Sequence, residues 1–191
     1  MEAMNKKKGV LLVNLGTPDS PERKDVYRYL KQFLLDGRVV DIPWILRQIL
    51  VRGIIAPFRS GSSAKLYQML WTEEGSPLKV YGYQITDQIQ ADLEKTHSVK
   101  LAMRYQQPSI ESALLELKKE KINDILVIPL FPQYASATTG SVHEEVMRIV
   151  SKWQSIPSIK MISSYHDAEA MVDIFAKNAR NNKLKIHEII T

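Results

Sequence analysis

The chain has 191 residues, 45% of them hydrophobic and 25% charged, enough for one well-packed domain. It contains no cysteine, which excludes disulfides, thiolate metal sites and a cysteine nucleophile. The formal charge of +5 points to an anionic partner or to a simple solubility charge, but the basic residues form no long run and no aromatic-interleaved patch, so nucleic acid is not an expected partner.

Three lysines precede the first apolar run, "GVLLVNLG" (9–16). The run stops at Asn14 with no small-residue cleavage site after it, which reads as a strand rather than a secretory leader. Ser20-Pro21-Glu22 has the chemistry of a helix start, and Val26, Tyr29, Leu30, Phe33 and Leu34 follow on one face. The next segment, "IPWILRQILVRGIIAPF" (42–58), has eleven apolar residues in seventeen; five Lys or Arg and one acid lie between Gly37 and Leu66. A helix apolar nearly all round is buried in protein or lies against lipid, and both readings stay open here. No stretch reaches the length of a membrane span.

Further strands are expected at "VKLAMRY" (99–105), "DILVIPLF" (124–131) and "IKMISSY" (159–165). Between and after them, Ser109 opens a helix through Ile110, Leu114 and Leu117. Ser141-Val-His-Glu144 fits a capping box ahead of Val142, Val146, Ile149, Val150 and Trp153, and a last helix uses Met171, Val172, Phe175 and Ala179. Strands apolar on both faces, alternating with helices, predict an open α/β fold with a parallel sheet. Ligands of such sheets sit beyond the carboxyl ends of the strands. Three loops meet that condition: "LGTPDS", "RYQQPS" and "QYASATTGS".

In the third loop, backbone N–H groups at Gly140 to Val142 favour an anion, or Thr139 or Ser141 simply caps the helix. Arg104 offers a fork of donors to a carboxylate, or pairs with a nearby acid such as Glu111; Tyr105 adds a ring face and a hydroxyl. None of the histidines, His97, His143, His166 and His187, has metal-ligand spacing, and no metal site is expected. His143 is expected to be exposed, and His166 to sit in a turn.

The motifs "LLVNLGTPDS", "YLKQFLLDGRVVDIP", "EEGSPL", "MRYQQPSI" and "PLFPQYASATTGSV" occur in the order found in ferrochelatases. Over residues 9 to about 166 the chain resembles that family. The resemblance implies a chelatase-like three-layer domain with a four-stranded parallel sheet flanked by helices, residues 1–191 being the N-terminal half of a two-domain fold. The reaction it implies is insertion of ferrous iron, as substrate, into protoporphyrin or a related porphyrin in haem synthesis, with no bound cofactor. A cobalt chelatase and a non-catalytic porphyrin-binding domain are the alternatives. By resemblance, Leu15, Ser76, Arg104, Tyr105, Tyr134, Ser136, Thr138 and Thr139 contact porphyrin. Residues 42–58 match an apolar lip with peripheral membrane contact, on a chain expected in the cytoplasm.

The resemblance also has a gap. The family's proton-accepting histidine lies in a Ser-x-His-Ser/Gly-Leu-Pro motif, and an essential glutamate lies further on. Neither motif is present here, His187 lacks the following Leu-Pro, and no catalytic residue is assigned. The expectation is a half-protein, inactive alone, whose uncovered face pairs with a second copy.

Overall fold

A computed structural model describes residues 7–181. Four parallel strands, β1 (Lys8–Gly16), β2 (His97–Tyr105), β3 (Asp124–Pro129) and β4 (Ser158–Met161), lie in the order β2-β1-β3-β4. The central β1 is buried on both faces because its apolar residues run without a break. Leu12 sits opposite Leu101 of β2 and Ile128 of β3. β2 and β3 lie on opposite sides of β1, so the strand order switches between β1 and β3, the place beyond whose carboxyl ends open α/β sheets bind ligands.

The strand period of two divides the core into two layers. Leu11 and Val13 pack with Ile110, Leu114 and Leu117 of α5 (Ile110–Lys119) and with Val142, Val146 and Ile149 of α6 (Ser141–Val150). Val10 and Leu12 face the other way, with Leu101, Met103 and Ile89 of α4 (Pro77–Leu93). A third cluster stands on the carboxyl edge of the sheet. There α1 (Arg23–Leu34) and α3 (Ala56–Leu70) close over Val26, Tyr29, Leu30, Val51 and Tyr105. Tyr105 meets the parallel rings of Tyr29 and Phe33 edge-to-face in it, with centroids 5.3 Å apart for Phe33 and Tyr105.

The structure departs from the sequence reading in several places. The third and fourth strands are shorter than 124–131 and 159–165, although the Leu130 and Ile162 amides still donate to Val13 and Val127. Ser20 does not cap α1, which starts at Arg23. Its hydroxyl instead donates to Asp25 and accepts from the Glu22 amide. Helix α4 had no apolar period to announce it, because the residues it buries are Gly82 and Thr86, and a Cβ on Gly82 would lie 3.0 Å from Leu101. Segment 42–58 forms α2 (Trp44–Leu50), a π-helical turn (Val51–Ile55) and the start of α3. Within this run only Val51 and Ala56 are buried, while Trp44, Ile49, Ile54 and Phe58 are exposed. The last helix, α7 (Glu169–Asn181), follows β4, and no helix among the described residues is long and apolar enough to cross a membrane. His187 lies outside the described residues.

Candidate functional site

The trailing loops of β1, β2 and β3 meet on one edge, and backbone geometry fixes how closely. Gly16 ends β1 at φ +111°, a region that side chains rarely enter, and a Cβ there would lie 2.0 Å from the Tyr105 carbonyl oxygen. The loop after β1 is then tied to the turn before α4, where Ser76 Oγ donates to Thr17 Oγ1 at 3.0 Å.

The helix after β3 begins earlier than a Ser141 cap requires. Ala135 is extended, residues Ser136–Gly140 form a π-helical turn, and α6 continues from it without interruption. The Gly140 amide donates to the Ala135 carbonyl at 3.1 Å, so it is no free anion ligand. The expected anion cradle at Gly140 to Val142 is therefore absent. Ser141 instead lies buried in the first turn of α6, where its hydroxyl faces β2.

That hydroxyl belongs to a buried polar cluster centred on Asp36, just past the end of α1. Asp36 Oδ2 accepts from Arg104 Nη2 at 2.8 Å, from the Tyr105 hydroxyl at 2.8 Å and from Ser141 Oγ. Its Oδ1 accepts from the Arg38 amide at 2.8 Å. Arg104 Nε donates to Ser141 Oγ at 2.7 Å and to its carbonyl at 3.1 Å. The partner of Arg104 is thus Asp36, not Glu111. Burial alone would raise the Asp36 carboxyl, but bonds from Ser141, the Arg38 amide and Tyr105, with the Arg104 charge, hold it below the usual carboxylate range. Burial pushes the Tyr105 hydroxyl well above the ordinary tyrosine range, which keeps it a donor.

Beside this cluster the surface opens. Arg38 pairs with Glu144 and reaches Ser136 Oγ at 3.4 Å. A Cβ on Gly140 would meet the Tyr134 hydroxyl at 3.0 Å and the Arg38 guanidinium at 3.2 Å, which places all three groups together. Next to Tyr134 is an apolar cavity of about 930 Å³. It is lined by Phe131, Pro132, Tyr134, Ala135 and Thr138 from the loop after β3 and by Met171, Val172, Phe175 and Ala179 of α7, with His166 at the junction. This volume is at the upper end of small-molecule sites.

Of the residues singled out in the sequence, Tyr134, Ser136 and Thr138 lie on this open surface, and Leu15 packs half-buried against the α1–α3 cluster. Arg104 is engaged from within. Ser76, Tyr105 and Thr139 are 6%, 0% and 0% exposed and lie behind the surface rather than on it. Thr139 Oγ1 is buried without a hydrogen-bond partner among the described residues. His143 is not exposed but half-buried, with Nε2 3.2 Å from the Ile162 carbonyl oxygen. His166 does occupy a turn, its Nδ1 2.6 Å from Ser164 Oγ, yet it also touches the cavity. Asp36 and Arg38 went unrecognised as site residues. Both stand inside "LLDGRVVDIP", where Asp36, Arg38 and Asp41 interrupt apolar residues. Among the described residues no group of three or more His, Asp or Glu could hold a metal ion.

The family model described as Ferrochelatase matches residues 7–189. A protein named Ferrochelatase from Thioalkalivibrio sulfidiphilus (strain HL-EbGR7) is 44% identical over 176 residues, covering 90% of this chain and 48% of that protein. Ferrochelatase 2 of Shewanella oneidensis is 43% identical over 180 residues, covering 92% of this chain and 55% of that protein. The chain spans about half the length of these curated relatives. Four parallel strands between helical layers, an edge where three loops converge and a family match across nearly every described residue lead to one conclusion: the chain belongs to the ferrochelatase family.

Proposed function

We propose that this chain forms one wall of a porphyrin cleft, in a protein that inserts ferrous iron into protoporphyrin or a related porphyrin. The observation that carries this reading is the apolar cavity beside the loop Phe131–Thr138, on the carboxyl edge of the sheet of a ferrochelatase-family domain. A flat macrocycle needs a large apolar surface with a few polar groups at its border. Leu15, Tyr134, Ser136 and Thr138 supply surface and hydroxyls. Arg104, Tyr105, Ser76 and Thr139 hold that surface from behind, and the exposed Arg38 offers a cation to a carboxylate at the mouth.

Metal insertion also removes two pyrrole protons and bends the ring. A positioned base contributes about 10²–10⁴-fold, and a strained substrate is held between two walls. This chain supplies one wall and carries no Ser-x-His-x-Leu-Pro motif. The chain alone therefore binds porphyrin without metallating it. Titrating the purified chain into protoporphyrin is expected to shift the porphyrin absorbance. Phe175→Asp should remove the shift, and added ferrous iron should leave the bound porphyrin metal-free. An unchanged spectrum would overturn the binding role, and turnover would overturn the need for a second wall. We further propose that α2 and α3, with their exposed apolar side chains and flanking Arg52, Arg59 and Lys65, contact membrane surfaces peripherally, and that the face around α7 pairs with a second copy of the chain or a second half.

A further inference from the structure

The two arginines nearest the mouth are held in opposite ways. Arg104 and Asp36 have side chains 14% and 8% exposed, at 2.8 Å. Every contact of that pair comes from the fold itself: the end of β2, the first turn of α6 and the segment after α1. The Tyr105 ring lies 4.7 Å from the Arg104 guanidinium and closes one side of it. Arg38 and Glu144 have side chains 39% and 60% exposed, so water screens their attraction and the pair exchanges readily. An incoming carboxylate can replace Glu144 at small cost. To reach the Arg104 fork it would have to evict a carboxylate that already accepts three side-chain hydrogen bonds and a backbone amide.

We propose that Asp36 is a positioning residue that sets specificity: it is the resident carboxylate of Arg104, pins the segment after α1 over the sheet edge, and stops Arg104 from answering to a ligand's carboxylates. The porphyrin arm of the test rests on the reading given above; the arm on the pair itself does not. In Asp36→Asn the guanidinium stays half-buried but loses its counter-charge, and so becomes a receptor for an outside carboxylate.

Two measurements test this. Exchange of the Arg104 Nη2–H protons, followed by NMR, should accelerate on the order of tenfold in Asp36→Asn, because the carboxylate that accepts from Nη2 has lost its charge. Affinities for deuteroporphyrin and for its dimethyl ester give a diacid-to-diester ratio, which cancels any general loosening of the site. That ratio should rise about tenfold in Asp36→Asn, and Arg104→Gln in the same background should return it to the wild-type value. Arg104→Gln in the wild-type background should leave the ratio within about twofold, and this variant carries the test should Asp36→Asn fail to fold. Unchanged Nη2–H exchange in Asp36→Asn, an unchanged ratio there, or a tenfold fall in the ratio in Arg104→Gln alone would each overturn the proposal. If the wild-type chain binds neither porphyrin, the cleft reading fails by itself and the exchange measurement decides whether Asp36 holds Arg104.

Discussion

Gly16 and Asp36 carry much of the geometry of this edge, and they differ in how openly the sequence announced them. The turn at Gly16 stands out because a glycine closes an apolar strand, and its positive φ lets the β1 and β2 backbones approach at Tyr105. Gly16→Ala would force backbone movement at both strands, with an expected loss of about 2–4 kcal/mol of stability, read by urea unfolding. A loss below about 0.5 kcal/mol would mean that the edge relaxes freely. Asp36 was hidden for a physical reason: its partners Arg104 and Ser141 are 68 and 105 residues away, and no local period records a bond of that range. The reading of Ser141 as a helix cap failed in the same way. Its pattern was right for a capping box, but a π-helical turn moved the helix start back to Ser136 and left the hydroxyl free for Asp36.

At the scale of elements, buried strands were the most legible features, because β1, β2 and β3 pack against helices and their sequences are correspondingly apolar. Their ends were less so, since β4 keeps only Ser158–Met161 and alternates between exposed and half-buried. Helices with an apolar stripe, α1, α5 and α6, were readable; α4 was not, because it buries small residues instead. The run 42–58 was ambiguous in sequence, and the structure leaves most of its large side chains outside the core. Ile49 is 63% and Phe58 79% exposed, so Ile49→Glu with Phe58→Glu should change stability by about 0.5 kcal/mol or less. The same pair should weaken co-sedimentation with vesicles of phosphatidylcholine and phosphatidylglycerol by more than about tenfold, given the apolar burial each side chain forgoes. A large drop in melting temperature would instead place this run in the core, and unaltered co-sedimentation would remove its membrane role.

At the scale of the molecule, the sheet edge, the cavity and α7 define a face that leaves Ile174 60% and Phe175 62% exposed. Apolar surface of this kind is usually covered. Light scattering is expected to show the mass rising from monomer toward dimer with concentration, and Ile174→Asp should hold the chain monomeric; a constant monomer mass for the wild type would rule the pairing out. The hydrophobic interior is also divided. The α1–α3 cluster is a small core of its own, joined to the sheet chiefly through Tyr105 and Leu15, with the Asp36 bonds beside them. Such a unit can breathe without the sheet melting, because its local opening exposes few of the residues that hold β1 to its neighbours. Access to the edge and integrity of the scaffold are therefore separately adjustable quantities. Sequence drift in the helical hood would retune how a guest enters long before it threatened the folding of the strands beneath.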